Sequence, residues 1–143
     1  MGMRVGILAG LMVLIAAPAF AQSCGSPPIA PAMPSADSIR QKAPAAAAAA
    51  KHDAFLDIKN WQADLKNYRT CVQAQGSQAK TELAGVDRTK DAGKAKRLQD
   101  EIDEANHQFD STVNAEEEVV NDFHAIQVAY CKRTDVDLST CPK

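Results

Sequence analysis

The chain is predicted to be all-α, a long antiparallel αα-hairpin of coiled-coil character with a proline-rich N-terminal arm. Three observations lead there: two apolar stripes of helical pitch, a polar break between them with glycine at each edge, and no segment that alternates apolar and polar residues as a half-buried strand does.

The first stripe is Ala54, Ile58, Trp61, Leu65, Tyr68, Val72, Gln75 and Ala79, spaced alternately by four and three, with Phe55 and Leu83 widening it. That spacing returns each residue to one face of an α-helix. Six alanines, Ala45 to Ala50, stand directly ahead of it and favour helix intrinsically. A first helix is therefore expected over about 46–84, with Gly76-Ser77 at most a kink.

The polar break spans 85–93, from Gly85 to Gly93. Beyond it Leu98, Ile102, Ala105, Phe109, Thr112, Glu116, Val119, Phe123, Ile126 and Tyr130 keep the four-three alternation without a miss, and Val113 and Val120 add a neighbouring column. A second helix is expected over about 94–132. Residues 133–143 read as a short tail.

The N-terminus has the three parts of a cleavable secretory signal over 1–21: Arg4, an apolar run from Val5 to Ala17, and Ala19 and Ala21 before Gln22. The run is too short to span a bilayer, and no later segment is apolar enough to do so. Cleavage after Ala21 leaves Cys24 near the new terminus, but Gln22-Ser23 is the wrong context for lipidation. The arm, residues 22–45, holds five of the seven prolines and is expected to be extended or irregular, since proline removes a backbone donor and disfavours helix at the residue before it. The formal charge of −2 gives no electrostatic reason to expect nucleic acid.

Cys24, Cys71, Cys131 and Cys141 make an even set, read in an exported chain as two disulfides. If the turn centres near Thr89, residues facing each other across it have numbers summing to about 179, which sets Cys71 and Cys131 several turns apart. The favoured pairing is Cys24 with Cys71 and Cys131 with Cys141; Cys24 with Cys131 and Cys71 with Cys141 is the alternative. Such staples matter because one shared seam buries few large side chains. Disulfides, docking of the arm, or dimerisation into a four-helix bundle are the available supports.

Little in the chain points to catalysis. Glu104 and His107 have the Glu-x-x-His spacing of di-iron bundles, but both fall outside the seam, and His52, His107 and His124 share no face. No Cys-x-x-Cys, Gly-x-Ser-x-Gly or His-Glu-x-x-His is present. Trp61, Tyr68, Phe109, Phe123 and Tyr130, at heptad spacing, are assigned to packing. Charge is uneven: Asp100 to Asp122 holds nine acidic residues and no Lys or Arg, whereas Lys80, Arg88, Lys90, Lys94, Lys96 and Arg97 cluster around the turn. Glu116 alone falls on a core column, where it is expected to reach toward Lys59 or Lys66 or to mark the place of a partner.

The arrangement Phe55-x5-Trp61-x6-Tyr68-x2-Cys71-Val72, followed after a charged turn by Phe109, Phe123 and Tyr130, resembles a group of short exported proteins of proteobacteria. Those chains share a signal peptide, a proline-rich arm with a cysteine, a helix ending in Tyr-x-x-Cys, and a second helix with Phe and Tyr near its end. The likeness covers roughly residues 24 to 132, with Cys131 and Cys141 additional here. It implies an exported hairpin and no particular activity.

The expectation for function is a non-enzymatic structural or protein-binding module of the cell envelope, periplasmic or secreted. It would bind no cofactor and would either self-associate through the seam or engage an envelope protein. A periplasmic chaperone or stress-type binder, and a metal-binding helical protein, are the alternatives.

Overall fold

A computed structural model describes residues 23–142; the expected signal, residues 1–21, lies outside them. Three α-helices follow in order, α1 (Ala36–Gln41), α2 (Pro44–Ala84) and α3 (Ala92–Cys131), then a short 3-10 helix, Leu138–Thr140. Every described helix and turn belongs to one antiparallel α2–α3 hairpin and the segments laid on it.

α2 begins on Pro44, whose fixed φ suits the first helical turn and whose missing N–H is not needed there. It continues unbroken through Gly76 to Ala84. The turn is shorter than expected, because Asp87 binds it from within. Its carboxylate accepts from the Thr89 N–H, the Thr89 hydroxyl and the Lys90 N–H, at 3.0, 2.6 and 3.3 Å. Gly93 thus falls in the first turn of α3 and not in the loop.

The hairpin has the register expected from its turn: Phe55 meets Phe123 and Gln62 meets Glu116, and each pair of numbers sums to 178. Along the seam the core forms a line of small clusters. Ala79, Leu83, Leu98 and Ile102 lie near the tip, Tyr68, Val72 and Ala105 next, then Ile58, Trp61, Leu65 and Val119. Ile39, Ala47, Ile126, Ala129 and Tyr130 close the open end.

Four stripe assignments need correction. Gly76 is buried on the seam and Gln75 only half-buried, because the helices come closest there: a Cβ on Gly76 would stand 3.2 Å from that of Ala105. Phe55, Val113 and Val120 are 45 %, 42 % and 45 % exposed, each one residue past a buried position and so turned about 100° out of the seam. Phe109 and Phe123 are half-buried.

The arm is more structured than its prolines suggest. Ser35 caps α1, its hydroxyl accepting from the Ser38 N–H at 3.1 Å, and presents Ile39, which has no exposed surface. Ahead of α1 the chain runs antiparallel to α2. Cys24 joins Cys71 (S–S 2.04 Å), the Trp61 indole donates to the Pro28 carbonyl at 3.2 Å, and Met33 packs on both the Trp61 and Ile39 clusters. The C-terminal segment is likewise docked and not a free tail. Arg133 Nη1 donates to the Ile39 and Lys42 carbonyls at 2.7 and 2.8 Å, Lys51 Nζ donates to Thr140 Oγ1 at 2.8 Å, and Cys131 joins Cys141 (S–S 2.05 Å).

Both bridges are thus those favoured from the hairpin geometry. No described helix is long and apolar enough to cross a membrane.

Candidate functional site

In an antiparallel pair, a residue that follows a seam position turns toward the same side of the hairpin on either helix, because both helices are right-handed and run in opposite directions. Cys71 precedes Val72 and holds the arm on one side. Phe55, Gln62 and Arg69 on α2, with Asn106, Val113 and Val120 on α3, follow seam positions and point out of the other, which the arm leaves uncovered.

A polar cluster crosses the seam at the centre of this uncovered side. Glu116 accepts from Arg69 Nη1 at 2.6 Å and from Gln62 Nε2 at 2.7 Å. Arg69 also spends Nε on the Thr112 hydroxyl and Nη2 on the Thr112 carbonyl, at 2.8 and 2.7 Å, and lies 5.8 Å from the centre of the Phe109 ring. The Thr112 hydroxyl in turn donates to the Phe109 carbonyl at 2.7 Å. The hydrogen bond from Arg69 holds the Glu116 carboxyl below its ordinary pKa; partial burial opposes this, and Gln62 and the guanidinium charge add to it.

The partner of Glu116 is therefore Arg69, not Lys59 or Lys66. Those lysines sit a further step around α2 and point away from α3, while a guanidinium one column nearer can fork over two groups. Arg69 escapes a search for stripes because it lies off both. Its signal was a fork-shaped cation one position past Tyr68, facing a carboxylate on a core column.

Toward the tip the cluster opens into a groove of about 370 Å³ between Gly76 and Ala105, walled by Val72, Phe109, Lys80 and Asp110. It exists because the two facing residues are small. Flanking the uncovered side are two exposed charge columns of opposite sign. Lys59, Lys66 and Lys80 line the α2 edge, and Asp103, Asp110 and Glu117 the α3 edge. None of the six has an ion-pair partner among the described residues, because the two columns flare apart.

The other candidates are dispersed. His52, His107 and His124 are exposed, and Glu104 accepts from Gln108 at 2.7 Å on the outer surface. Among the described residues no group of three His, Cys, Asp or Glu side chains converges, and all four cysteines are in disulfides. The chemistry this surface offers is contact: a few apolar side chains around a fixed, half-buried ion pair, edged by exposed charges that form no ion pair among the described residues. Compared with known protein families, curated proteins and solved structures, the chain has no match.

Proposed function

We propose that the chain is an exported, non-enzymatic protein-binding module of the cell envelope that engages its partner through the uncovered side of the hairpin. The observation that carries this is one-sided cover. The arm, stapled by Cys24 and Cys71, seals one side of the seam, while Phe55, Val113 and Val120 remain over two-fifths exposed on the other, around the Arg69–Glu116 pair. The seam itself is consumed within one chain, with Leu65, Leu98 and Ile126 each 1 % exposed, so a partner has to use the side face. Two disulfides suit an oxidising compartment, and the Arg4, apolar-run and Ala19-x-Ala21 pattern supports export to one. Charges set between the apolar residues favour a partner of defined pattern over the broad apolar face a chaperone needs.

Photo-crosslinking in cells that export the chain tests this. A photoreactive residue at Val113 or Val120 is expected to give adducts of discrete mass, and one at exposed Ala63, between the seam residues Trp61 and Leu65 on the outer surface of α2, to give none. No adduct from 113 and 120, or equal labelling from all three positions, would overturn the reading.

A further inference from the structure

Resting on that reading, we propose that the partner is a second copy of the chain, stacked on the uncovered side about a two-fold axis parallel to the helices. The argument is charge complementarity on a single face. The α2 edge carries Lys59 and Lys66, the α3 edge Asp110 and Glu117, all exposed and without ion-pair partners among the described residues. A face with one cationic and one anionic edge is complementary to itself in one orientation only.

A two-fold axis parallel to the helices lays α2 of one copy on α3 of the other, cation on anion. An axis across the helices lays α2 on α2, and the like charges repel. In the first arrangement each residue keeps its height along the hairpin. Lys59 then stands level with Val119 and Lys66 with Thr112, by the register that pairs Gln62 with Glu116. Glu117 and Asp110 are two residues from those heights, about 3 Å along the axis, within reach of a lysine side chain. Gln73, level with Ala105, meets Asp103 in the same way; at the tip end Lys80, level with Leu98, stands against Lys96, whose charge is answered within its own helix by Asp100 at 2.6 Å.

Symmetry doubles each contact, giving four ion pairs that flank the junction as the edge positions of a coiled coil do. The inner columns then close on each other: Phe55, Val113 and Val120, already partly apolar and partly exposed, fill the centre. From Phe55 to Lys80 the face is about 37 Å long, and two helices make it about 20 Å wide. It would cover roughly 700 Å² on each copy, near the standard size for a stable association. The product is a four-helix bundle in which neighbouring helices run antiparallel and the two charged tips lie at the same end.

Sedimentation equilibrium of the oxidised chain tests the arrangement. A dimer is expected that weakens as salt rises. Lys66→Glu alone and Asp110→Lys alone are each expected to weaken it about tenfold or more by placing like charges together. The double variant Lys66→Glu/Asp110→Lys is expected to recover the dimer, since each new charge meets its opposite in the second copy. Both positions are exposed, so the variants keep the fold, and recovery in the double variant excludes damage to it as the cause. A monomer at all concentrations, or a dimer indifferent to the swaps, would overturn this proposal. Crosslinking from Val113 and Val120 to a different protein would then leave the binding reading standing, whereas no crosslink at all would remove both.

Discussion

Arg69 and Glu116 join α2 to α3 across the seam at 2.6 Å, with side chains only 19 % and 28 % exposed. Removing one partner strands the other in a half-dry site, and removing Arg69 also takes the guanidinium from the Thr112 hydroxyl and carbonyl. Arg69→Ala is therefore expected to cost about 2–3 kcal/mol, less than a fully buried pair because water still reaches the edge. Glu116→Ala should cost somewhat less. The pair Arg69→Met/Glu116→Leu should recover most of the loss, since two apolar side chains fill the same space with no charge to desolvate. Urea denaturation of these variants together with Arg69→Ala/Glu116→Ala measures the coupling; simple additivity of the two alanine changes would show that the pair contributes no interaction of its own.

The same carboxylate makes stability depend on pH in a definite direction. Glu116 has its folded-state pKa held below the usual 4.5, first by the Arg69 hydrogen bond. A depressed carboxyl stabilises the fold above its unfolded pKa, and that contribution is lost as pH falls through the lower, folded value. Thermal melts should accordingly show no effect of this group between pH 7 and 5. Below about pH 4.5 the wild-type chain should lose stability faster than Glu116→Gln, so that their midpoints converge. Parallel curves down to pH 2 would place the pH-sensitive interaction elsewhere.

The two long helices were legible because an apolar residue every three or four positions has only one regular conformation that gathers it on a face. The side a column faces is harder to read. Phe55 and Val120 look like additional core when only the spacing is counted, and they are exposed because the third layer lies on the opposite side. The information was present in one residue: Cys71 precedes Val72, so a bridge from Cys24 draws the arm to that side and leaves Gln73, Arg69 and Val113 open. What the sequence conceals is α1. Its six residues sit among prolines with a single large apolar side chain, and the Ile39 and Lys42 carbonyls that end it find their donor in Arg133, more than ninety positions away.

Each disulfide should have its own signature. Cys24–Cys71 closes 47 residues and Cys131–Cys141 only 10. Loop-closure entropy then gives upper values of about 4 kcal/mol for the first and about 2.7 kcal/mol for the second. Only the first holds the arm over Trp61, the one tryptophan, whose indole N–H donates to Pro28. The double variant Cys24→Ser/Cys71→Ser is expected to shift tryptophan emission to the red under native conditions. Cys131→Ser/Cys141→Ser should lower the melting temperature without that shift. A red shift in both, or in neither, would contradict the path of the arm along α2.

Ile39 gives the sharpest test of the docked arm. It is fully buried against Ala47, Ile126, Ala129 and Tyr130, while Ile29, ten residues earlier in the same arm, is 93 % exposed. Truncating a buried isoleucine removes its transfer energy and leaves a cavity, so Ile39→Ala should cost about 3 kcal/mol. Ile29→Ala should stay within about 0.5 kcal/mol of the parent. The loss at Ile39 should also spread, because Arg133 reads the carbonyls of this helix and ties the C-terminal segment to it. Limited proteolysis of Ile39→Ala is therefore expected to cut both the arm and the residues after Cys131, and to spare α2 and α3. Cleavage confined to the arm would mean that the two ends of the chain dock independently.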